Sequence, residues 1–187
     1  MKKIMMTLAA VAVAATMNAQ VYVGGSLGFE TTSHDGDTNS RLTLIPEIGY
    51  NLDENWAVGI AFGYGQTKNT EEVTVGGTTA EVSVTNKKFV INPYARYTFA
   101  KFDKVNVFVD GGLEYAHYDN GGSKSNAFGL GVRPGVAVNL NDKLSFVSHF
   151  GWLGYKYQKD DYDGAKAANT FGLELDSKVS FGLYYNF

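Results

Sequence analysis

Cysteine is absent from the 187 residues, which excludes a disulfide scaffold, thiolate metal sites and a cysteine nucleophile together. Histidine occurs three times and proline three times, so acid–base chemistry has few imidazoles to draw on. Charge of one sign is missing too: 19 acids against 16 bases leave a formal charge of −3, too weak a bias for a nucleic-acid binder. No apolar run reaches the roughly 20 residues that a membrane-crossing helix needs. A mean hydropathy of −0.16 argues against a bundle of such helices. After Gln20 helical periodicity is lacking altogether. Glycine and aromatic rings are plentiful instead. There are 22 glycines, against a usual level of about 7%, together with 12 Tyr, 12 Phe and 2 Trp. Apolar residues make up 44%, too many for a disordered chain.

The first residues read as an address. Met1-Lys2-Lys3 is a positive head, Ile4 to Met17 an apolar run softened by alanine, and Asn18-Ala19 a small-residue cleavage point. That is the layout of a secretory signal peptide. The expected organisation is a signal peptide over 1–19 and one domain over 20–187.

Beyond Gln20 the dominant pattern is alternation with period two. Leu42, Leu44, Ile48, Tyr50 and Leu52 alternate with polar or small residues, and so do Val105, Val107, Val109, Leu113 and Tyr115. Eight strands are predicted, near 21–31, 41–52, 56–67, 88–99, 105–117, 127–140, 144–157 and 170–187. The connections at 53–55, 100–104 and 141–143 are tight. Those at 32–40, 68–87, 118–126 and 158–169 are longer and polar. Short turns at one end and long loops at the other suit a transmembrane barrel better than a β-sandwich. Pro46, Pro93 and Pro134 each stand six residues before the end of an even-numbered strand. A bulge is expected at each, because proline cannot complete the ladder.

The two faces of these strands differ in kind. Arg41, Arg96 and Arg133 fall on the polar face of the second, fourth and sixth strands, and Lys178 on that of the eighth. Glu30, Glu47, Asp110, Glu114, Glu174 and Asp176 share that face, as do most of the strand glycines. The apolar face carries aromatics towards both strand ends: Tyr50, Trp56, Tyr97, Phe99, Tyr185 and Phe187 at the tight-turn end, and Phe29, Tyr64, Phe89, Tyr115, Phe128, Trp152 and Phe171 towards the other. A water-exposed surface has no use for so much glycine, whereas the lumen of an eight-stranded barrel is just wide enough for packed side chains. The expected fold is therefore all-β: an eight-stranded antiparallel up-and-down transmembrane β-barrel, apolar outside and polar inside. A soluble barrel around a greasy ligand would reverse the faces.

Chemistry is thinly represented. His34 stands beside Asp35 and Asp37 in the first loop, His117 near the end of the fifth strand, and His149 on the polar face of the seventh. Ser148 and His149 are adjacent on a strand, point to opposite faces and cannot serve each other. Neither Asp35-Gly36-Asp37 nor Asp160-Asp161-Tyr162-Asp163-Gly164 has the ligand spacing of a calcium loop. No catalytic residue, metal site or cofactor is expected, and no enzymatic activity. The informative constellation is the inward charge network of Arg41, Glu47, Arg96, Asp110, Glu114, Arg133, Glu174, Asp176 and Lys178. A charge inside a membrane-embedded interior must be paired or hydrated. These residues are expected to plug the lumen with salt bridges, Arg133 pairing with Glu114. The alternative is a narrow, weakly cation-preferring channel, and a third reading is a loop-borne hydrolase. In the loop over 68–87, Val73, Val75, Val82 and Val84 alternate around Gly76-Gly77. That predicts a hairpin standing beyond the membrane, with an edge able to capture an extended surface protein or peptide.

With its export signal, eight alternating strands and terminal Phe181-x-Leu183-x-Tyr185-x-Phe187, the chain resembles the small outer-membrane β-barrel family of the OmpA/OmpX type. The resemblance implies the outer membrane of a Gram-negative bacterium, with lipid and lipopolysaccharide around the wall. It implies long loops outside, both termini in the periplasm, and insertion by the barrel-assembly machinery, which reads Phe181, Leu183, Tyr185 and Phe187 as its signal. A peptidoglycan-binding domain is not expected after Phe187.

Overall fold

A computed structural model describes residues 20–34, 37–75, 78–162, 165–174 and 180–187; for 29–34, 37–38, 71–75, 78–82 and 174 only the backbone course is described. The expected signal peptide at 1–19 lies outside these residues, as do Asp35, Gly36, Gly76, Gly77, Asp163, Gly164, Asp176 and Lys178.

The described secondary structure is all β: β1 (Val21–His34), β2 (Asp37–Asn51), β3 (Trp56–Val75), β4 (Thr78–Lys101), β5 (Val105–Asp119), β6 (Lys124–Asn139), β7 (Leu144–His149), β8 (Trp152–Asp160), β9 (Ala168–Glu174) and β10 (Ser180–Asn186). Each strand from β1 to β6 pairs antiparallel with the next. β7 and β8 both pair with β6 and together make the seventh stave, and β9 and β10 make the eighth. β10 then pairs with β1, from Tyr22 opposite Asn186 to Ser26 opposite Gly182, and closes an eight-staved antiparallel barrel. Pairing around the ring satisfies the backbone groups of the paired strands, which lets a β structure sit in hydrocarbon.

The tight turns are built on one chemistry. Asp53 Oδ1 accepts the backbone N–H groups of Asn55 and Trp56 at 2.7 and 2.8 Å. Asn141 Oδ1 does the same for Lys143 and Leu144 at 2.9 and 2.8 Å. An acceptor two and three residues ahead of free N–H groups fixes the turn locally. The two bonds also hold the Asp53 carboxyl below its ordinary pKa.

At the opposite end the strands run on through residues expected to be loops. His34 faces Asp37 in the β1–β2 ladder, and β5 and β6 continue to Asp119 opposite Lys124. Only 161–167 separates β8 from β9. Polar side chains in these segments report water around the chain, but the backbone still pairs because the ladder satisfies its donors and acceptors. The β3–β4 hairpin reaches furthest. β2 accompanies β3 only to Thr38 opposite Thr70, and β5 accompanies β4 only to Lys87 opposite Asp119. Beyond those pairs β3 and β4 are laddered to each other up to Val75 opposite Thr78. With 20 and 24 residues they exceed by far the roughly 9–11 that a tilted strand needs to cross a bilayer.

The prolines correct a second expectation. At Pro46 the β2–β3 ladder skips from Leu44–Tyr64 to Glu47–Ala61, and at Pro93 the β4–β5 ladder skips from Ile91–Tyr115 to Tyr94–Gly112. Register is unchanged across both gaps, so neither is a bulge: the missing N–H removes bonds without adding a residue. Pro134 differs. Opposite it the seventh stave breaks at Phe150-Gly151, with Gly151 at φ 64° and Phe150 N–H donating to the Pro134 carbonyl. Pairing resumes one residue out of step, from Gly135–His149 to Val132–Leu153. A ladder bulge away from proline lies between Thr98 and Ala100, against β5.

That break inverts the parity of β8. Trp152, expected on the outer wall, lies inside against Gly131, and Gly154 turns inward with it. Leu153 and Tyr155 take the exposed outer positions. Elsewhere the faces divide as the alternation predicts. Leu42, Leu44, Leu113, Phe128, Leu130, Leu173 and Leu183 are exposed on the outside of the wall. Ring pairs Trp56–Tyr97 and Tyr115–Phe128 lie towards its two ends.

Inside, glycines of one strand make room for rings of the next. A Cβ at Gly49 would stand 2.1 Å from Tyr22 Cζ, at Gly59 2.5 Å from Tyr94, at Gly131 2.3 Å from Trp152 Nε1 and at Gly135 2.4 Å from Phe108 Cζ. Gly135→Ala is therefore expected to cost about 1–3 kcal/mol through overpacking. Gly172→Ala, which meets nothing within 4 Å, stays within about 0.5 kcal/mol. Urea unfolding in lipid vesicles checks both, and equal losses would show that the rings yield freely.

Candidate functional site

The lumen is filled at its middle by one buried cation and the groups gathered around it. Arg96 lies on β4 and Asp110 opposite it on β5. Arg96 Nε donates to Asp110 Oδ1 at 2.7 Å and Nη2 to Oδ2 at 2.8 Å, a bidentate fork. Glu47 of β2 stands 3.5 Å from the guanidinium on another side. His149 of β7 lies 2.9 Å from Asp110 Oδ2 through Nε2. A carboxylate only accepts, so the imidazole proton is assigned to that nitrogen.

Rings enclose the charge. The Phe108 face lies 4.0 Å from Arg96 Cζ, and Tyr184, Tyr94 and Tyr22 surround it at 5.3 to 5.8 Å. The tyrosines also complete the hydrogen bonding of Glu47. Tyr184 donates to Glu47 Oε1 at 2.5 Å, and Tyr94 donates to the same oxygen. Because the Tyr94 proton is committed there, Tyr22 donates to the Tyr94 hydroxyl at 2.6 Å. Arg96, Asp110 and Glu47 are all buried, and a buried charge is tolerated only when paired and hydrogen-bonded in this way.

Two cavities flank this layer. Towards the tight turns lies one of about 670 Å³, bordered by Arg96, Tyr22, Tyr184 and Phe108 and, at its mouth, by Asp53, Glu54, Lys101, Asp103, Lys104 and Asp142. Towards the long hairpins lies one of about 400 Å³, lined by Arg41, Lys88, Arg133 and Glu114 over Ile45, Ala61 and Val90. Between them the described residues leave pockets of about 20 Å³, each roughly the room of one water.

The expected network divides accordingly. Glu47, Arg96 and Asp110 come together. Arg133 and Glu114 are not joined to each other. Arg133 Nη2 donates to Asn92 Oδ1 at 2.7 Å, while Glu114 faces Lys156 at 3.6 Å and Lys88 at 4.0 Å. Lys156 occupies that place because the break in the seventh stave turned it inward. Arg41 lines the hairpin-end cavity. Glu174 holds a backbone position in β9, and Asp176 and Lys178 lie outside the described residues. Phe181, Leu183 and Tyr185 project from the outer wall of β10, and Phe187 packs edge-on against Tyr185 at 5.0 Å.

Sequence reasoning passed over Tyr22, Tyr94, Tyr184 and Phe108. Their signal was available: Tyr94 stands two residues before Arg96, and Phe108 two before Asp110, so alternation puts them on the lumen face. The ring of His149 is engaged by Asp110, and alternation turns it away from its neighbour Ser148; of His34, on which the loop-borne hydrolase reading rests, only the backbone is described.

A family profile described as the outer membrane protein beta-barrel domain matches residues 4–187. An uncharacterized protein of Salmonella typhimurium, YaiT, is 26% identical over 172 residues, which cover 83% of this chain and 16% of that protein. The chain thus spans about a sixth of the length of the curated relatives it matches. Among solved structures, outer membrane protein OprG of Pseudomonas aeruginosa is 13% identical, with 90% of this chain and 93% of that chain covered and a TM-score of 0.50. Neisserial surface protein A is 18% identical, with 89% and 97% covered and a TM-score of 0.47. These likenesses concern the fold.

Removing Arg96 strands two buried carboxylates, so Arg96→Met is expected to cost about 3–5 kcal/mol. Adding Asp110→Leu recovers part of that loss. In the same double-mutant format Arg133→Ala and Glu114→Ala couple less strongly than Arg96 and Asp110. Urea unfolding of vesicle-reconstituted variants measures both cycles, and a stronger Arg133–Glu114 coupling would contradict the observed pairing.

Proposed function

This chain belongs to the outer membrane protein β-barrel domain family of Gram-negative bacteria, and we propose that it is a closed-lumen barrel whose role lies in the envelope and at the cell surface rather than in transport or catalysis. The observation that supports this reading is the Arg96 layer, which sets a paired cation, two carboxylates and four rings across the lumen. At eight staves there is room for such side chains and little besides.

On this reading residues 1–19 direct export and are removed, 20–187 form the barrel, and both termini face the periplasm. The tight turns then lie on the periplasmic side and the long hairpins outside, among lipopolysaccharide. The outward row Phe181, Leu183, Tyr185 and Phe187 is the segment offered to the assembly machinery. The nine residues Thr78–Asn86 of β4 run beyond the last β5 pair, so their outer edge presents backbone groups for an extended protein or peptide segment.

Planar-bilayer recording of the refolded protein tests closure. Folded wild type is expected to be silent, and Arg96→Ala with Asp110→Ala is expected to give current steps by clearing the layer. Stable steps from wild type would favour the narrow-channel alternative. For the hairpin, deleting 71–82 is expected to leave folding and bilayer silence unchanged while ending enrichment of extended peptides from a phage-displayed library; undiminished enrichment would place the interaction elsewhere.

A further inference from the structure

We propose that the hairpin-end cavity is a binding site for a small soluble organic anion: a carboxylate or phosphonate on a compact apolar body. The cavity, of about 400 Å³, falls within the usual range for small-ligand sites of roughly 300–1,000 Å³. Its chemistry is divided by depth. Ile45, Ala61 and Val90 supply an apolar lower wall, bounded by the Glu47–Tyr94 layer beneath. Arg133 of β6 lies at the floor beside them, and Arg41 and Lys88 line the cavity from β2 and β4.

The charge balance of this cavity is the reverse of what the strands suggest in sum. Six acids and four cations were expected to face inward. The carboxylates at the centre, Glu47 and Asp110, are consumed by Arg96 and by the tyrosines and His149. Among the described lining residues Glu114 is the acid left to the cavity, and it is shared between Lys88 and Lys156 at 4.0 and 3.6 Å. Arg133 makes its hydrogen bond to a neutral amide oxygen, that of Asn92, which orients the guanidinium without neutralising it. An arginine held in that way at the base of a concave, partly apolar site presents a fork matched to a carboxylate or phosphonate. Lys88 is further steadied over the Tyr118 ring at 5.3 Å.

The exposed lining residues Arg41, Lys87 and Asn120 lie at the hairpin end, so on this proposal a dissolved ligand enters from that end. This proposal is independent of whether the lumen conducts: binding and bilayer current are separate readouts, and either can fail alone.

Calorimetric titration of the full barrel in phosphatidylcholine nanodiscs, with empty nanodiscs as blank, tests it. The probes are phenylphosphonate and 4-methylbenzoate, compared with the neutral 4-methylbenzamide and with inorganic phosphate. Both organic anions are expected to bind, and the amide and inorganic phosphate at least tenfold more weakly. Arg133→Gln and Arg41→Gln are each expected to raise Kd about tenfold, the loss of one charge-assisted contact. Glu114→Gln is expected to tighten binding, a change of sign that a merely structural role does not produce. Each variant is first shown to be folded by heat-modifiable electrophoretic mobility. No heat of binding, equal binding of the amide, or Kd values indifferent to Arg41 and Arg133 would overturn the proposal. Loss of binding when a quarter of the nanodisc lipid is phosphatidylglycerol would assign the site to a lipid headgroup and overturn the dissolved-ligand reading.

Discussion

A guanidinium cannot shed its charge, and at Arg96 it is buried, where little water reaches it. The barrel answers with Asp110 in a bidentate fork, Glu47 on another flank and ring faces around the remainder. Each of those answers imposes another. Glu47 keeps its charge by accepting from Tyr94 and Tyr184, and Asp110 by accepting from His149 as well as Arg96. Strands β1, β2, β4, β5, β7 and β10 are thereby tied across the lumen, and not only to their ladder neighbours. The wall supplies closure, and the charge layer fixes what lies inside it.

Glycine is the other half of that arrangement. Rings of this size fit an eight-staved lumen only where the facing backbone carries no Cβ, and Gly49, Gly59, Gly131 and Gly135 stand under Tyr22, Tyr94, Trp152 and Phe108. The composition that first set this chain apart, rich in both glycine and aromatics, is thus a single packing device counted twice. Outside, the same alternation gives a continuous apolar surface.

Dividing the lumen by a charged layer also gives its two ends different characters. The tight-turn cavity has acids and lysines interleaved at its mouth, while the hairpin-end cavity sets cations against an apolar wall. The central layer takes up carboxylates that would otherwise balance those cations. Structure at the middle of the barrel therefore sets the electrostatics at its entrance. Beyond that entrance the β3–β4 hairpin continues as an unaccompanied ladder, so surface chemistry and lumen chemistry are carried by the same pair of strands.

Period-two alternation is a local property of an extended chain, and the sequence by itself determined whatever follows from it: eight staves, an apolar outside, a polar glycine-lined inside, the tight turns, and Arg96, Asp110 and Glu47 on the inner face. It also held the β3–β4 hairpin, because valine alternating around Gly-Gly specifies a turn without reference to any distant residue. Alternation names a face but not a partner. That Arg133 meets Asn92 while Glu114 meets two lysines depends on strand stagger and on how side chains cross the lumen, which no local pattern records. One inserted residue at Phe150-Gly151 was enough to carry Trp152 and Lys156 from the outside to the inside. Tertiary structure decided these points because parity propagates along a strand until a break resets it. The break falls opposite Pro134 on the neighbouring strand, whose carbonyl accepts the Phe150 N–H.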